Sequence, residues 1–127
     1  MRRILSLVGV FLVFGGITLH AAESYSGPYG VQTNEQLERL EHEDAESRAS
    51  AAESLGLLRA YRAENALLDR LTDPVADVRR ETAMALSWCG SRAAVSPLIR
   101  RLEDNDWLVR QAAHVALTNL TGMEFAF

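Results

Sequence analysis

A period of 31 residues runs through the chain, and that recurrence limits its fold more than any other feature. Leu37, Leu68 and Ile99 align at this spacing. So do Leu40, Leu71 and Leu102; Arg48, Arg79 and Arg110; and Leu55, Leu86 and Leu117. A unit of this length cannot bury its apolar face alone, so copies must stack and share one continuous core.

Each unit divides into two helices. In the second helix of unit two, Val78, Thr82, Ala85, Leu86 and Cys89 recur at steps of 4, 3, 1 and 3, one face of a 3.6-residue helix. Unit three repeats those steps with Val109, Ala113, Ala116, Leu117 and Leu120, and unit one with the weaker set Ser47, Ala51, Ser54, Leu55 and Leu58. The first helices are shorter. Their expected buried residues are Leu37 and Leu40; Leu67, Leu68 and Leu71; and Leu98, Ile99 and Leu102.

Punctuation agrees with this division. Asp73 stands before Pro74, which suits an N-cap followed by proline at the first helical position. Asp104 is the matching cap in unit three, with Asp106 near the helix dipole, while unit one has His42-Glu43-Asp44 there. Gly90 and Gly122 close the second helices of units two and three. Pro97 either bends the helix around it or marks its start after Ser96. The expected fold is all-α: a short α-solenoid of three stacked antiparallel helix pairs, with units at about 34–61, 62–91 and 92–122.

An N-terminal signal or anchor helix and a flexible tether are expected ahead of this domain. Arg2 and Arg3 precede the charge-free run Ile4 to Leu19, followed by His20-Ala21-Ala22, the layout of a secretory signal peptide over residues 1–22. An uncleaved inner-membrane anchor through residues 4–19 is the alternative. Residues 23–33, with Gly27-Pro28 and Gly30, read as a linker. The mature protein is therefore expected in the periplasm or outside the cell. At the other end, residues 123–127 form an apolar tail, and unit three carries no polar cap, leaving its outer face bare unless that tail folds back.

Charge restricts the partners. The net charge is −4. Loss of residues 1–22 takes away Arg2 and Arg3 and no acid, which leaves −6. Such a chain lacks the basic face that nucleic acid requires. Any membrane contact would run only through an uncleaved N-terminal segment. Glu35, Glu38, Glu41, Glu43, Asp44, Glu46 and Glu53 concentrate negative charge on unit one, either as a solvated cap or as a docking face for a basic partner. The single cysteine, Cys89, has no internal disulfide partner and stands in the leucine column of Leu58 and Leu120, so it reads as a buried apolar residue.

The stretch Asp73-Pro74-Val75-Ala76-Asp77-Val78-Arg79-Arg80-Glu81-Thr82-Ala83-Met84-Ala85-Leu86 resembles the HEAT-like repeat of the phycobilisome-lyase type. Asp104 to Leu117 and the preceding Ala93 to Leu102 resemble it too, so the resemblance covers about residues 34–122. It implies an α-solenoid in which the motif Asp and Arg link neighbouring units, here Asp73 and Asp104 with Arg79 and Arg110. His42 breaks the Asp column in unit one. Members of that family are mostly interaction scaffolds, and a few handle bilin chromophores.

No nucleophile elbow, phosphate loop, dinucleotide fingerprint or zinc spacing is present, and His20, His42 and His114 are scattered. No enzymatic activity, cofactor or metal is expected. What remains is a surface. Second helices of stacked pairs usually line the concave side. Arg80, Met84, Trp88, Trp107, Gln111 and His114 are the candidate contacts there, since Trp, Met and Arg are enriched at binding anchors. The expected role is a protein-binding scaffold of the cell envelope with an unidentified protein partner and oligomerisation open. The alternatives are an accessory protein of chromophore-lyase type that handles a tetrapyrrole, and a fragment of a longer array.

Overall fold

Residues 29–124 are described by the computed structural model. The expected signal or anchor segment 1–22, residues 23–28 of the linker and Phe125 to Phe127 of the tail lie outside them. The described residues form six α-helices and no strand: α1 (Gly30–Arg39), α2 (Ala45–Leu57), α3 (Glu64–Arg70), α4 (Ala76–Cys89), α5 (Val95–Arg101) and α6 (Trp107–Thr121). Short 3-10 turns, Tyr61–Ala63 and Arg92–Ala94, lead into α3 and α5. The second helices α2, α4 and α6 begin 31 residues apart, so the sequence period is also the backbone period.

Each first helix packs on its own second helix, while α2 packs on α4 and α4 on α6. The second helices thus form one continuous layer in which α4 lies between α2 and α6. The predicted faces lie inward: Val78, Thr82, Ala85, Leu86 and Cys89 of α4 are all buried, as are Val109, Ala113, Ala116 and Leu117 of α6. Small residues set the spacing. A Cβ added at Gly56 would stand 2.7 Å from the Ala85 Cα, so α2 and α4 approach nearly backbone to backbone there. One helical face of α2, made of Arg48, Ala52 and Gly56, therefore points at the next unit.

That direction corrects the reading of the C-terminal face as bare. In α6 the same columns hold Arg110, His114 and Thr118, so an imidazole stands where the inner layers have Ala52 and Ala83, beside the recurring arginine and a hydroxyl matching Ser87. Other differences have local causes. The helical chain starts at Gly30, inside the stretch read as linker, because Arg62 reaches back to donate to the Gly30 carbonyl and to Asn34 Oδ1. Ile99 is exposed rather than buried, while Leu98 beside it is fully covered. Pro97 does not start its helix, which begins at Val95. It lies in the first turn of α5, where a missing N–H leaves no bond unmade.

The caps fall two residues later than expected. Asp106 caps α6 by accepting from the Leu108 and Val109 N–H groups, and Asp44 caps α2 by accepting from Ser47 N–H. Val75 holds that position in α4 and caps with no side chain. At the far ends, Gly122 closes α6 in the left-handed region at φ 70. Gly90 closes α4 with extended backbone, and its counterpart one repeat earlier, Arg59, takes φ 48.

Candidate functional site

The residues read as caps, Asp73 and Asp104, are instead the acceptors that join one unit to the next. Asp73 Oδ2 accepts from Arg48 Nε at 2.8 Å and Oδ1 from Arg48 Nη2 at 3.0 Å. Asp104 repeats this with Arg79 at 2.9 Å for both bonds. Each arginine reaches forward 25 residues into the following unit. The Nη1 of Arg48 and Arg79 also donates to backbone carbonyls of the turn before its own helix, His42 and Glu43 or Asp73 and Pro74. Both aspartates accept a turn N–H as well, from Val75 and Asp106. Burial alone would raise the Asp73 and Asp104 carboxyls, but the arginine hydrogen bonds, the turn N–H and the nearby positive charges outweigh it and hold both below the usual range.

Arg110 forms no such link between units. It donates to the Asp104 carbonyl of its own unit and lies over the Trp107 ring at 5.6 Å. Arg48 was the missed partner, although its column was visible, because a period shows equivalence and not the direction in which a side chain reaches. His42 does not break the array. The Asp of each unit serves the arginine of the unit before it, so unit one needs only the turn contact, and His42 Nδ1 accepts it from Asp44 N–H.

A solvent-facing cleft of about 450 Å3 lies between α2 and α4, lined by Ala45, Glu46, Ala49, Ser50, Glu53, Val75, Asp77, Arg80 and Glu81. A smaller one of about 160 Å3 shares Glu53 and Glu81 with it and runs past Gly56, Leu57, Met84 and Ala85 to Trp88. Three of the candidate contacts, Arg80, Met84 and Trp88, therefore follow one another along this groove. Arg80 is held between Asp77 at 3.2 Å and Glu81 at 2.8 Å. Trp88 is 47% exposed with Arg59 at 5.3 Å from its ring centre. Trp107, Gln111 and His114 are on α6 and do not line it. Trp107 is the repeat counterpart of Ala76, 12 residues before Trp88, so along parallel helices the two tryptophans stand roughly 18 Å apart in axial height. They are two separate exposed rings rather than one patch. Asp77 and Leu57 were not among the candidates, and Glu46 and Glu53 stood only in the acidic set of unit one, because pairing two helix faces requires knowing which sides of α2 and α4 meet.

Cys89 is buried, with its thiol pushed up to about 11 by burial and by Glu64. Among the described residues no group of three His, Cys, Asp or Glu side chains is placed to hold a metal ion, and no helix is long and apolar enough to cross a membrane.

The sequence profile of the HEAT repeats matches residues 33–118. The alpha subunit of a phycocyanobilin lyase from Picosynechococcus sp. is 41% identical over 87 residues, covering 61% of this chain and 32% of that protein. The chain thus spans about a third of the length of this curated relative. An engineered protein solved by crystallography superposes with a TM-score of 0.56 at 24% identity, over 69% of this chain and 44% of its own, a likeness of fold alone. The lyase relative overturns one expectation from the sequence. The missing catalytic motifs predict no enzyme, and a relative named for a lyase subunit removes that exclusion.

Proposed function

The chain belongs to the HEAT-repeat family, and on that premise we propose that it is a protein-binding module whose partner lies along the exposed side of its second helices. The observation that carries this reading is Trp88, a large ring left half in water at the end of the α2/α4 groove. Exposed Trp beside a cleft is the composition of a binding anchor. Alanine at Trp88 should reduce capture of the partner from cells of the source while circular dichroism stays unchanged. Alanine at Trp107 tests the second ring, and equal capture by both variants and the parent would count against the reading. The proposed setting is the periplasm or the cell exterior, supported by Arg2, Arg3 and the charge-free run after them. Mass spectrometry of the N-terminus in fractionated cells should find it trimmed near Ala22; an intact Met1 in the membrane fraction would favour the anchored form.

A second reading rests on the lyase relative: the chain handles a bilin, as the name of that relative states for the whole protein. Phycocyanobilin mixed with the purified chain should then show a shifted visible band. A spectrum identical to that of the free pigment removes this reading.

A further inference from the structure

Resting on the protein-binding reading, we propose that the α2/α4 groove takes a basic segment of a protein partner, one with an aliphatic or aromatic anchor at one end. Four acids border the groove, Glu46 and Glu53 from α2 and Asp77 and Glu81 from α4. Among the described residues lining the larger cleft the one cation is Arg80, already engaged by Asp77 and Glu81, while Arg59 stands over Trp88 at the far end. Glu46 and Glu53 have no ion pair within the described residues. The acids do not merely solvate an outer end of the stack, since two of them belong to unit two and all four look into the cleft between units.

The repeat supplies its own control. One unit on, the counterparts of Glu46, Glu53, Asp77 and Glu81 are Asp77, Met84, Leu108 and Ala112. The acidic lining is thus peculiar to the α2/α4 groove and is not required by stacking.

Apolar surface fixes the second half of the occupant's chemistry. At the C-terminal end of the groove Leu57 is 76% exposed and Trp88 47% exposed, with Met84 half-buried between them. The ring of Trp88 is held by Arg59, so the anchor site is formed before anything binds. From Glu46 to Leu57 the groove runs roughly 16 Å, about three turns of a bound helix. Lysine or arginine along the segment would meet the acids, and its terminal apolar side chain would cover Leu57 and Trp88.

The test uses the full chain with Trp107→Phe, which leaves Trp88 as the sole tryptophan reporter. The probes are a synthetic 14-residue amphipathic peptide with leucine anchors and lysines, and the same peptide with glutamate or glutamine for lysine. The lysine peptide should shift Trp88 emission saturably, and the glutamate peptide should not. Joint Glu46→Gln and Glu53→Gln should weaken the lysine peptide about fivefold, as loss of two exposed charge contacts would. Joint Glu38→Gln and Glu103→Gln, the same charge change outside the groove, should leave it unaltered. Equal weakening by both pairs overturns the proposal, because long-range charge would then explain the binding. If the glutamine peptide binds as tightly and Leu57→Ala weakens it, the basic assignment falls while binding on this face stands. If no peptide moves Trp88 emission, the assignment falls outright, and capture by Trp88→Ala decides the wider reading separately.

Discussion

At the scale of single residues, Asp73 and Asp104 each do three jobs: they neutralise a buried guanidinium, bond it at two points and fix the turn that starts the next helix. Removing one partner of such a pair leaves the other charge buried, so Asp104→Ala should cost about 3–5 kcal/mol in urea unfolding. Because arginine contacts lower both carboxyls in the folded state, their contribution is present at neutral pH. It is lost as pH falls through the acid range below about 4, where the unfolded carboxyls are already protonated. Urea midpoints should therefore drop steeply there, and less steeply in Asp73→Asn. The sequence displayed the Asp and Arg columns but paired them differently, since Arg110 lies at the open end of the described stack and Arg48 does the linking. His42 looked like a broken link because the column was expected to need a carboxylate in every unit; an imidazole nitrogen can perform the turn job alone.

At the scale of elements, the helices follow from apolar period, and the distances between them from residue size. Gly56→Ala would push a methyl into the Ala85 backbone. The expected overpacking of about 1–3 kcal/mol exceeds the roughly 1 kcal/mol gained in helix propensity, so the thermal midpoint should fall. Thr82 offers the opposite case. Its hydroxyl is buried in α4 without a hydrogen-bond partner among the described residues, so Thr82→Val should raise stability by about 1 kcal/mol. The second-helix faces were legible because five apolar or small positions at helical steps fix a side of a long helix. Short first helices were less so: Leu98 and Ile99 are adjacent, and a seven-residue helix such as α5 gives too little periodicity to choose between them. The caps were misplaced because Asp-Pro looks like a helix start, while the buried arginine pair claims that carboxylate first. Of the groove, Arg80, Met84, Trp88, Glu46 and Glu53 were legible as separate surface residues, but not their convergence, which is made by two faces whose meeting only the packing reveals.

At the scale of the whole molecule, stability is a sum over layers and the contacts between them. Leu86 sits fully buried in the middle layer, so Leu86→Ala should cost roughly 2–5 kcal/mol, a large share for a domain this small. Loss of a single sharp transition in urea would be the sign. Cys89 reports the same cooperativity from inside: buried in α4, its thiol should react with a disulfide reagent only as fast as the stack opens. The two arginine–aspartate links also have a mechanical meaning. Stretched between optical traps, the stack would load them in series, like rungs of a rope ladder held at both ends. The chain should then pay out in discrete lengths of 31 residues, roughly 100 Å each, rather than in one rip.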